Sequence, residues 1–172
     1  VKDQGTLNLN LTRAPGSAAK VLTDANFGKC MSFTGVGGFM SPAVALPINT
    51  DFTLSMDVRT RDRRDAVLVT HVTWTSGGTS FGIMLLTDGR VQVYISGAQR
   101  LWSSAVPLNT TVNIKLVCVN KVFTLYLNGV AQGSSVSVPG FNEQAYRIGV
   151  GSAFEGNNGF NGMIKNLLIV SP

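Results

Sequence analysis

The segment Val112–Gly129 constrains the fold of this chain most, because apolar and polar residues alternate along almost its whole length. A period of two places the apolar side chains on one face of a strand and the polar side chains on the other. Asn120-Lys121 and Asn128-Gly129 interrupt the alternation and predict turns of a hairpin with one buried face. The predicted inward residues are Val112, Ile114, Leu116, Cys118, Phe123, Leu125 and Leu127, and the predicted outward residues are Asn113, Lys115, Thr124, Tyr126 and Asn128.

The same alternation recurs in short segments throughout the chain. Asp88-Gly89 predicts a second hairpin, after which Val91, Val93 and Ile95 point inward and Gln92 and Tyr94 point outward. No segment carries a convincing apolar stripe of helical period with caps. About ten to thirteen strands at this spacing predict an all-β fold, an antiparallel two-sheet β-sandwich. The other main predicted strands are Phe27–Gly35, Asp51–Val58, Val67–Trp74, Phe81–Leu85, Tyr146–Gly151 and Met163–Val170.

The composition fits one folded domain over residues 1–172. Hydrophobic residues make up 44% of the chain and charged residues only 13%, which excludes a disordered tail. The 19 glycines lie mostly between short apolar runs, as in an all-β domain with many turns. No apolar stretch reaches the roughly 18–20 residues that cross a bilayer, so membrane insertion is not predicted. The chain begins at Val1 and has no signal-peptide pattern, so a mature fragment and a module of a longer protein both stay open.

The net charge of +5 arises from 14 basic against nine acidic residues and does not by itself indicate nucleic-acid binding. A nucleic-acid site needs a basic stripe interleaved with exposed aromatic residues, or a known helical motif, and the sequence has neither. The one basic cluster is Arg59–Asp65, which contains its own acids, Asp62 and Asp65. We expect this cluster to be a solvated hairpin turn, with a patch for an anionic ligand as the alternative.

The two cysteines, Cys30 and Cys118, lie far apart in sequence and both fall in predicted strands. Cys118 shares the parity of Leu116 and should point inward. Two buried free thiols and one long-range disulfide both remain open at this stage. The chain has no Cys-x-x-Cys pair, so a structural zinc site is not expected.

The order of these segments resembles the laminin-G-like domains of the concanavalin A-like lectin/glucanase superfamily. Phe27–Gly35 is similar to the opening strand of those domains, and Asp51–Val58 to their next core strand. Phe123–Gly129 resembles the family's hairpin end, and Arg147–Gly149 with Phe160–Ile164 its closing strands. The resemblance implies a two-sheet jelly roll with one concave face. Members of the superfamily are mostly non-catalytic modules that bind glycans or proteins, so the resemblance also implies a binding module.

Many relatives place two acids directly after the Gly-x-Ile of the last strand, where the acids help to hold calcium. Here those positions are Lys165 and Asn166. Calcium needs several oxygen ligands and is repelled by an adjacent ammonium, so no required metal and no other cofactor is predicted.

The sequence offers little for catalysis. A glycoside hydrolase needs two carboxylates beside the scissile bond, but the only glutamates, Glu143 and Glu155, fall in predicted loops. The single histidine, His71, lies in an apolar-rich strand and is expected to pack in the sheet rather than to act as a base. The chain is therefore predicted not to be an enzyme.

The residue types fit ligand binding better than catalysis. Sugars are bound by aromatic rings together with amide and arginine hydrogen bonds. In the alternative interpretation, Trp74 and Trp102 fill the core and Tyr126 only covers the pleat. The candidate ligand-binding residues, chosen by type and predicted exposure, are Trp74, Arg90, Gln92, Tyr94, Trp102, Tyr126, Asn128 and Asn157.

The predicted function is a non-catalytic, lectin-like module that binds a glycan or glycoconjugate. We expect it to belong to a larger protein that is secreted, lies on a cell surface or is part of a virion. The alternative is a structural domain that contacts other protein subunits in a viral or phage fibre or in an adhesin. Neither nucleic acid nor membrane is an expected partner.

Overall fold

The computed structural model of this chain describes residues 11–45, 51–72, 79–95, 99–139, 141, 145–152 and 158–170. Within these ranges every regular element is a β-strand and there is no helix. The strands are β1 (Thr12–Arg13), β2 (Lys20–Asp24), β3 (Gly28–Thr34), β4 (Phe39–Ala45), β5 (Phe52–Thr60), β6 (Ala66–Val72), β7 (Thr79–Leu85), β8 (Arg90–Ile95), β9 (Gln99–Ala105), β10 (Val112–Val119), β11 (Val122–Leu127), β12 (Val130–Ala131), β13 (Val136–Ser137), β14 (Ala145–Val150) and β15 (Asn161–Val170).

The strands form two antiparallel sheets, as the alternation predicts. Sheet A has seven strands in the order β1-β4-β14-β6-β7-β8-β9. Sheet B has eight, in the order β12-β11-β10-β5-β15-β3-β2, with β13 also paired to β11. The inner faces of the two sheets pack on each other, and the outer face of each sheet points away from the core. The prediction of a two-sheet β-sandwich is confirmed.

The core lies between the sheets and consists of the residues that the period of two places inward. On β5 and β10 buried residues alternate strictly with half-buried ones. Phe81 from sheet A stacks on Phe52 from sheet B, with ring centroids 5.7 Å apart, and so joins the two layers. Val112, Ile114, Leu116, Cys118, Phe123, Leu125 and Leu127 are all buried, which confirms their predicted orientation.

The turns of the hairpin formed by β10 and β11 are built from residues with positive φ. Asn120 and Lys121 both have positive φ, at 50° and 61°, and Asn128 and Gly129 follow with 48° and 80°. Two successive residues with positive φ are typical of a type I′ turn, whose twist matches that of the flanking strands. The predicted register of this hairpin is confirmed by the pairing of Leu116 with Leu125.

The arginine-rich segment Arg59–Asp65 is not a hairpin turn, and that part of the prediction is wrong. It leads from β5 in sheet B to β6 in sheet A, so it crosses from one layer to the other. Its side chains bind neighbouring loops: Arg63 Nη1 donates to the carbonyl of Asp88 at 2.7 Å, and Arg64 pairs with Asp62. Alternation identifies a strand but does not say which sheet receives the next strand.

The two cysteines are free and buried. Cys118 lies in the main core, whereas Cys30 lies on the outer face of sheet B beside Phe27 and Met163. Three strand steps separate β10 from β3, which amounts to about 14 Å and exceeds the reach of a disulfide. Of the two possibilities that the sequence left open, the structure has two separate thiols packed as small hydrophobic groups.

Candidate functional site

Four of the eight candidate residues meet on the outer face of sheet A. Arg90, Gln92 and Tyr94 follow each other at alternate positions of β8, and Trp102 lies opposite Gln92 on β9. The intervening residues Val91, Val93 and Ile95 are fully buried in the core, so period two directs the polar set outward.

The other four candidates do not join this group. Tyr126 and Asn128 belong to the β10–β11 hairpin, and the side chain of Tyr126 is on the outer face of sheet B. The Lys115 ammonium lies 4.9 Å from the centre of the Tyr126 ring. Asn128 accepts a hydrogen bond from the backbone amide of Asn113 at 2.8 Å, so its side-chain oxygen supports the turn. Trp74 and Asn157 lie outside the described residues.

Two arginine–aromatic pairs cross between β8 and β9. The guanidinium of Arg90 on β8 lies 4.7 Å from the centre of the Trp102 ring on β9. In the opposite sense, the guanidinium of Arg100 on β9 lies 5.6 Å from the centre of the Tyr94 ring on β8. Trp102 is 38% exposed, so it does not fill the core. We call Arg90, Gln92, Tyr94, Arg100 and Trp102 the arginine–aromatic cluster.

The turn before β8 holds one end of this cluster in place. Asp88 accepts hydrogen bonds from the backbone amide of Arg90 at 2.9 Å and from its Nε at 2.7 Å. These bonds, the backbone one first, hold the pKa of Asp88 below its ordinary value. On its other side the Asp88 carbonyl receives Arg63. Arg90 is therefore fixed against Trp102 by a carboxylate that stays ionised at neutral pH.

Next to the cluster, the outer face of sheet A has a floor with little side chain. Gly149, Thr70, Gly82 and Tyr94 are register partners on β14, β6, β7 and β8, so they form one row across the sheet. A methyl group added at Gly82 would meet only the Thr70 hydroxyl among the described residues, at 3.8 Å. We call Gly149, Thr70 and Gly82 the glycine row. All three residues are nevertheless buried, so the row has room for a methyl group at Gly82 but is not open surface.

Two polar side chains on this face are mostly buried and make no hydrogen bond within the described part of the chain. Thr70 is 5% exposed and Gln92 is 7% exposed. Their polar ends reach the surface, because neither belongs to the fully buried side-chain atoms that lack a partner among the described residues. The amide and the hydroxyl are thus available to a ligand.

Sequence reasoning missed Arg100, Thr70 and Gly82. Arg100 could have been found, because it shares the parity of Trp102 on the same predicted exposed strand face. Thr70 and Gly82 could not, because their significance depends on β6, β7 and β8 being adjacent and in this register. A glycine in an alternating strand signals only that a side chain is missing there.

His71 points into the core, as expected of a packed sheet histidine. It is fully buried and stacks on Phe81 with ring centroids 5.7 Å apart. In the described part of the chain no three histidine, cysteine, aspartate or glutamate residues come together as a metal site. Lys165 lies over the Phe27 ring at 4.5 Å, and Asn166 donates to Asp57 at 2.8 Å. Both residues therefore make intramolecular contacts on the outer face of sheet B.

The chain belongs to the concanavalin A-like lectin/glucanases superfamily, because a laminin G family model with that description matches residues 33–171. No curated protein sequence matches the chain at a significant level. None of the described elements is a helix long and apolar enough to cross a membrane.

Several solved structures share the fold at low sequence identity. A Trypanosoma rangeli sialidase in complex with the inhibitor DANA superposes with a TM-score of 0.69 at 17% identity, over 94% of this chain and 30% of the sialidase. Domain 4 of an extracellular GH43 arabinanase from Geobacillus stearothermophilus, in complex with arabinotriose, gives 0.67 at 15% identity, over 94% of this chain and 81% of that domain. The binding domain of botulinum neurotoxin serotype G gives 0.71 at 9% identity, over 98% of this chain and 44% of the toxin domain. The chain thus spans less than a third of the sialidase.

Proposed function

We propose that this chain is a non-catalytic carbohydrate-binding module that holds a glycan on the outer face of sheet A. One observation carries the proposal: the Gln92 amide and the Thr70 hydroxyl reach this face and make no hydrogen bond within the described part of the chain. A sugar presents hydroxyl groups that can donate to and accept from both side chains. Binding would supply the hydrogen bonds that folding leaves out.

The neighbouring residues suit a sugar ring. Trp102 contributes exposed apolar surface to this face. Sugar-binding sites combine such apolar contact with a few fixed polar groups. Gln92 lies between Met84 and Trp102 in register, on the strand next to the edge of sheet A.

The absence of catalysis is part of the proposal. Hydrolysis of a glycoside needs one carboxylic acid that stays protonated and a second carboxylate. In the described part of this face Asp88 is the carboxylate next to the cluster, and its hydrogen bonds from Arg90 lower its pKa, opposite to what a general acid needs. Glu143 and Glu155 lie outside the described residues.

The structural relatives support the same class of function. The arabinanase domain was solved with arabinotriose bound, and its enzyme is extracellular. The chain covers 81% of that domain but only 30% of the sialidase. We therefore propose that it acts as one module of a larger protein outside the cell, on a cell surface or in a virion.

Removing the exposed ring tests this function. Trp102→Ala deletes a 38% exposed side chain from the outer face of sheet A. We expect retardation in native gels containing arabinan, xylan, dextran or polygalacturonate to disappear while the protein stays folded. Tyr126→Ala, which removes a ring that lies beside a cation on the outer face of sheet B, is the matched control and should keep retardation. Equal retardation of Trp102→Ala and the wild type would contradict the proposed site.

Assembly with a second copy is the other candidate function, and strand β2 favours it. β2 is an edge strand of sheet B, and Val21 and Leu22 are both exposed although they point to opposite faces. An edge strand with exposed apolar side chains can pair with the same strand of another copy. Light scattering would show a dimer that Val21→Lys dissociates, whereas a monomer at high concentration would exclude this function.

A further inference from the structure

We infer that the glycan held on the outer face of sheet A is an anionic polysaccharide, whose carboxylates are bound by Arg90, Arg100 and Arg147. The inference rests on the proposed carbohydrate-binding function and specifies its ligand class. The first observation is that this face is positively charged among the described residues.

Among the described residues, the outer face of sheet A has more positive than negative charge. Arg90 and Arg100 belong to the arginine–aromatic cluster, and Arg147 is exposed on β14, two residues before Gly149. Asp88, at the edge of the face, pairs with Arg90. Of the ion pairs found in the described ranges, none includes Arg100 or Arg147. A ligand with negative charge would complement this face.

The guanidinium of Arg90 is held in a way that suits a carboxylate. Its Nε is engaged by Asp88 and its plane lies over Trp102. Its two terminal nitrogens make no hydrogen bond in the described part of the chain. Two parallel N–H groups match the two oxygens of a carboxylate, and a stacked guanidinium loses little further freedom on binding.

The same stacking limits the alternative, in which the aromatic rings bind a neutral sugar. One face of Trp102 and one face of Tyr94 already lie against arginine. A ring face that is covered by a guanidinium is not available for contact with the C–H groups of a sugar. The aromatic residues of this cluster therefore hold the arginines in place, and the arginines provide the charged contacts to the ligand.

The spacing of the three cations indicates a chain of sugars rather than one small anion. Arg90 and Tyr94 are four residues apart on β8, so their Cα atoms lie about 13 Å from each other. Four strand steps separate β9 from β14, which places the backbones at Arg100 and Arg147 about 19 Å apart or more. A single small anion cannot contact all three cations across these distances.

A pair of polysaccharides that differ only in charge tests the inference. Polygalacturonate carries a carboxylate on each sugar, and its methyl ester has the same backbone without the charge. By isothermal titration calorimetry at low salt we expect polygalacturonate to bind at least about tenfold more tightly than the ester, with an affinity that falls as salt is added. Arg100→Gln and Arg147→Gln should each weaken binding of polygalacturonate about tenfold and leave binding of the ester unchanged.

Lys115→Gln is the matched control, because it removes the same charge from a cation that lies over an aromatic ring on the other outer face. It should bind polygalacturonate like the wild type, and a loss equal to that of Arg100→Gln would overturn the inference in favour of an effect of net charge. Equal affinity for the ester and the acid would overturn it too, while leaving carbohydrate binding intact. Tighter binding of single-stranded oligothymidylate than of polygalacturonate would assign the face to nucleic acid. No binding of any polysaccharide would contradict the proposed function itself.

Discussion

The two outer faces of this sandwich differ in the contacts of their polar and charged groups. On sheet B, Asp57 accepts hydrogen bonds from Asn113 at 2.9 Å and from Asn166 at 2.8 Å, so its carboxylate is satisfied within the protein. On sheet A, Gln92 and Thr70 make no such bond in the described ranges, but Ser32 on sheet B is in the same state. The clearer difference is that arginines lie over aromatic rings on sheet A and lysines on sheet B. A guanidinium can bind a carboxylate through two N–H groups, so we propose the outer face of sheet A as the binding face.

The outer face of sheet B even has a small core of its own. Phe27 is fully buried next to Cys30 and Met163. Asp24 holds the turn that delivers this ring, because its carboxylate accepts the backbone amide of Phe27 at 2.9 Å. Lys165 closes the other side of the ring. A covered aromatic ring of this kind contributes to stability and has no surface for a ligand.

The strongest way to break the comparison is to remove Phe27. Phe27→Ala should lower the free energy of unfolding by about 3–5 kcal/mol, because it empties a buried aromatic site. Urea unfolding followed by fluorescence measures the loss. At a temperature where the variant is still folded, its retention in polysaccharide gels should equal that of the wild type. Retention that falls in a folded Phe27→Ala protein would show that the two faces are not independent.

The opposite test replaces a polar group on sheet A. Gln92→Met removes the unpaired amide and keeps a long side chain of similar volume. We expect the free energy of unfolding to change by less than about 0.5 kcal/mol, because the amide reaches the surface and has no partner in the described residues to lose. Binding of polysaccharide should fall about fivefold to tenfold. Asp57→Asn on sheet B, which disturbs a satisfied network, should lower stability and keep binding. A loss of stability in Gln92→Met would mean that the amide already has a partner in the folded protein.

The smallest expected effect is a pH dependence of stability that arises from a buried thiol. Burial raises the pKa of Cys118 to about 11 from an ordinary value of 9.0. As the pH rises, the thiol therefore ionises in the unfolded chain before it ionises in the folded protein. Stability from this group is complete below pH 9 and is lost as the pH rises towards 11. Urea unfolding at pH 8 and pH 10.5 should show a smaller loss in Cys118→Ala than in the wild type. An equal loss in both proteins would contradict the assignment of this pH dependence to Cys118.

Much of the fold could be predicted from the sequence, because the alternation is so regular. The inward side of the β10–β11 hairpin and its two turns agree with the structure residue by residue. The path of the segment Arg59–Asp65 could not be predicted, since the choice between two sheets depends on contacts distant in sequence. Its arginines bind carbonyl groups of other loops, which no local pattern reveals.

The candidate site was predicted only in part. Residue type and parity selected Arg90, Gln92, Tyr94 and Trp102 correctly as outward residues that lie together. The same criteria also selected Tyr126, which lies on the other sheet. Parity gives the side of a strand but not the sheet to which the strand belongs. What distinguishes the two faces is which cation lies over each aromatic ring, and these contacts exist only once the strands are assembled.

The most direct test of the central claim is a ¹H–¹⁵N NMR titration of the assigned protein with oligogalacturonate. The account predicts that the side-chain amide of Gln92 and the backbone amides of Thr70 and Gly82 shift together as ligand is added. The side-chain amide of Asn113, which is bonded to Asp57 on the outer face of sheet B, should stay in place. Shifts at Asn113 and its neighbours, with none at Gln92, would place the site on the wrong face and contradict the account.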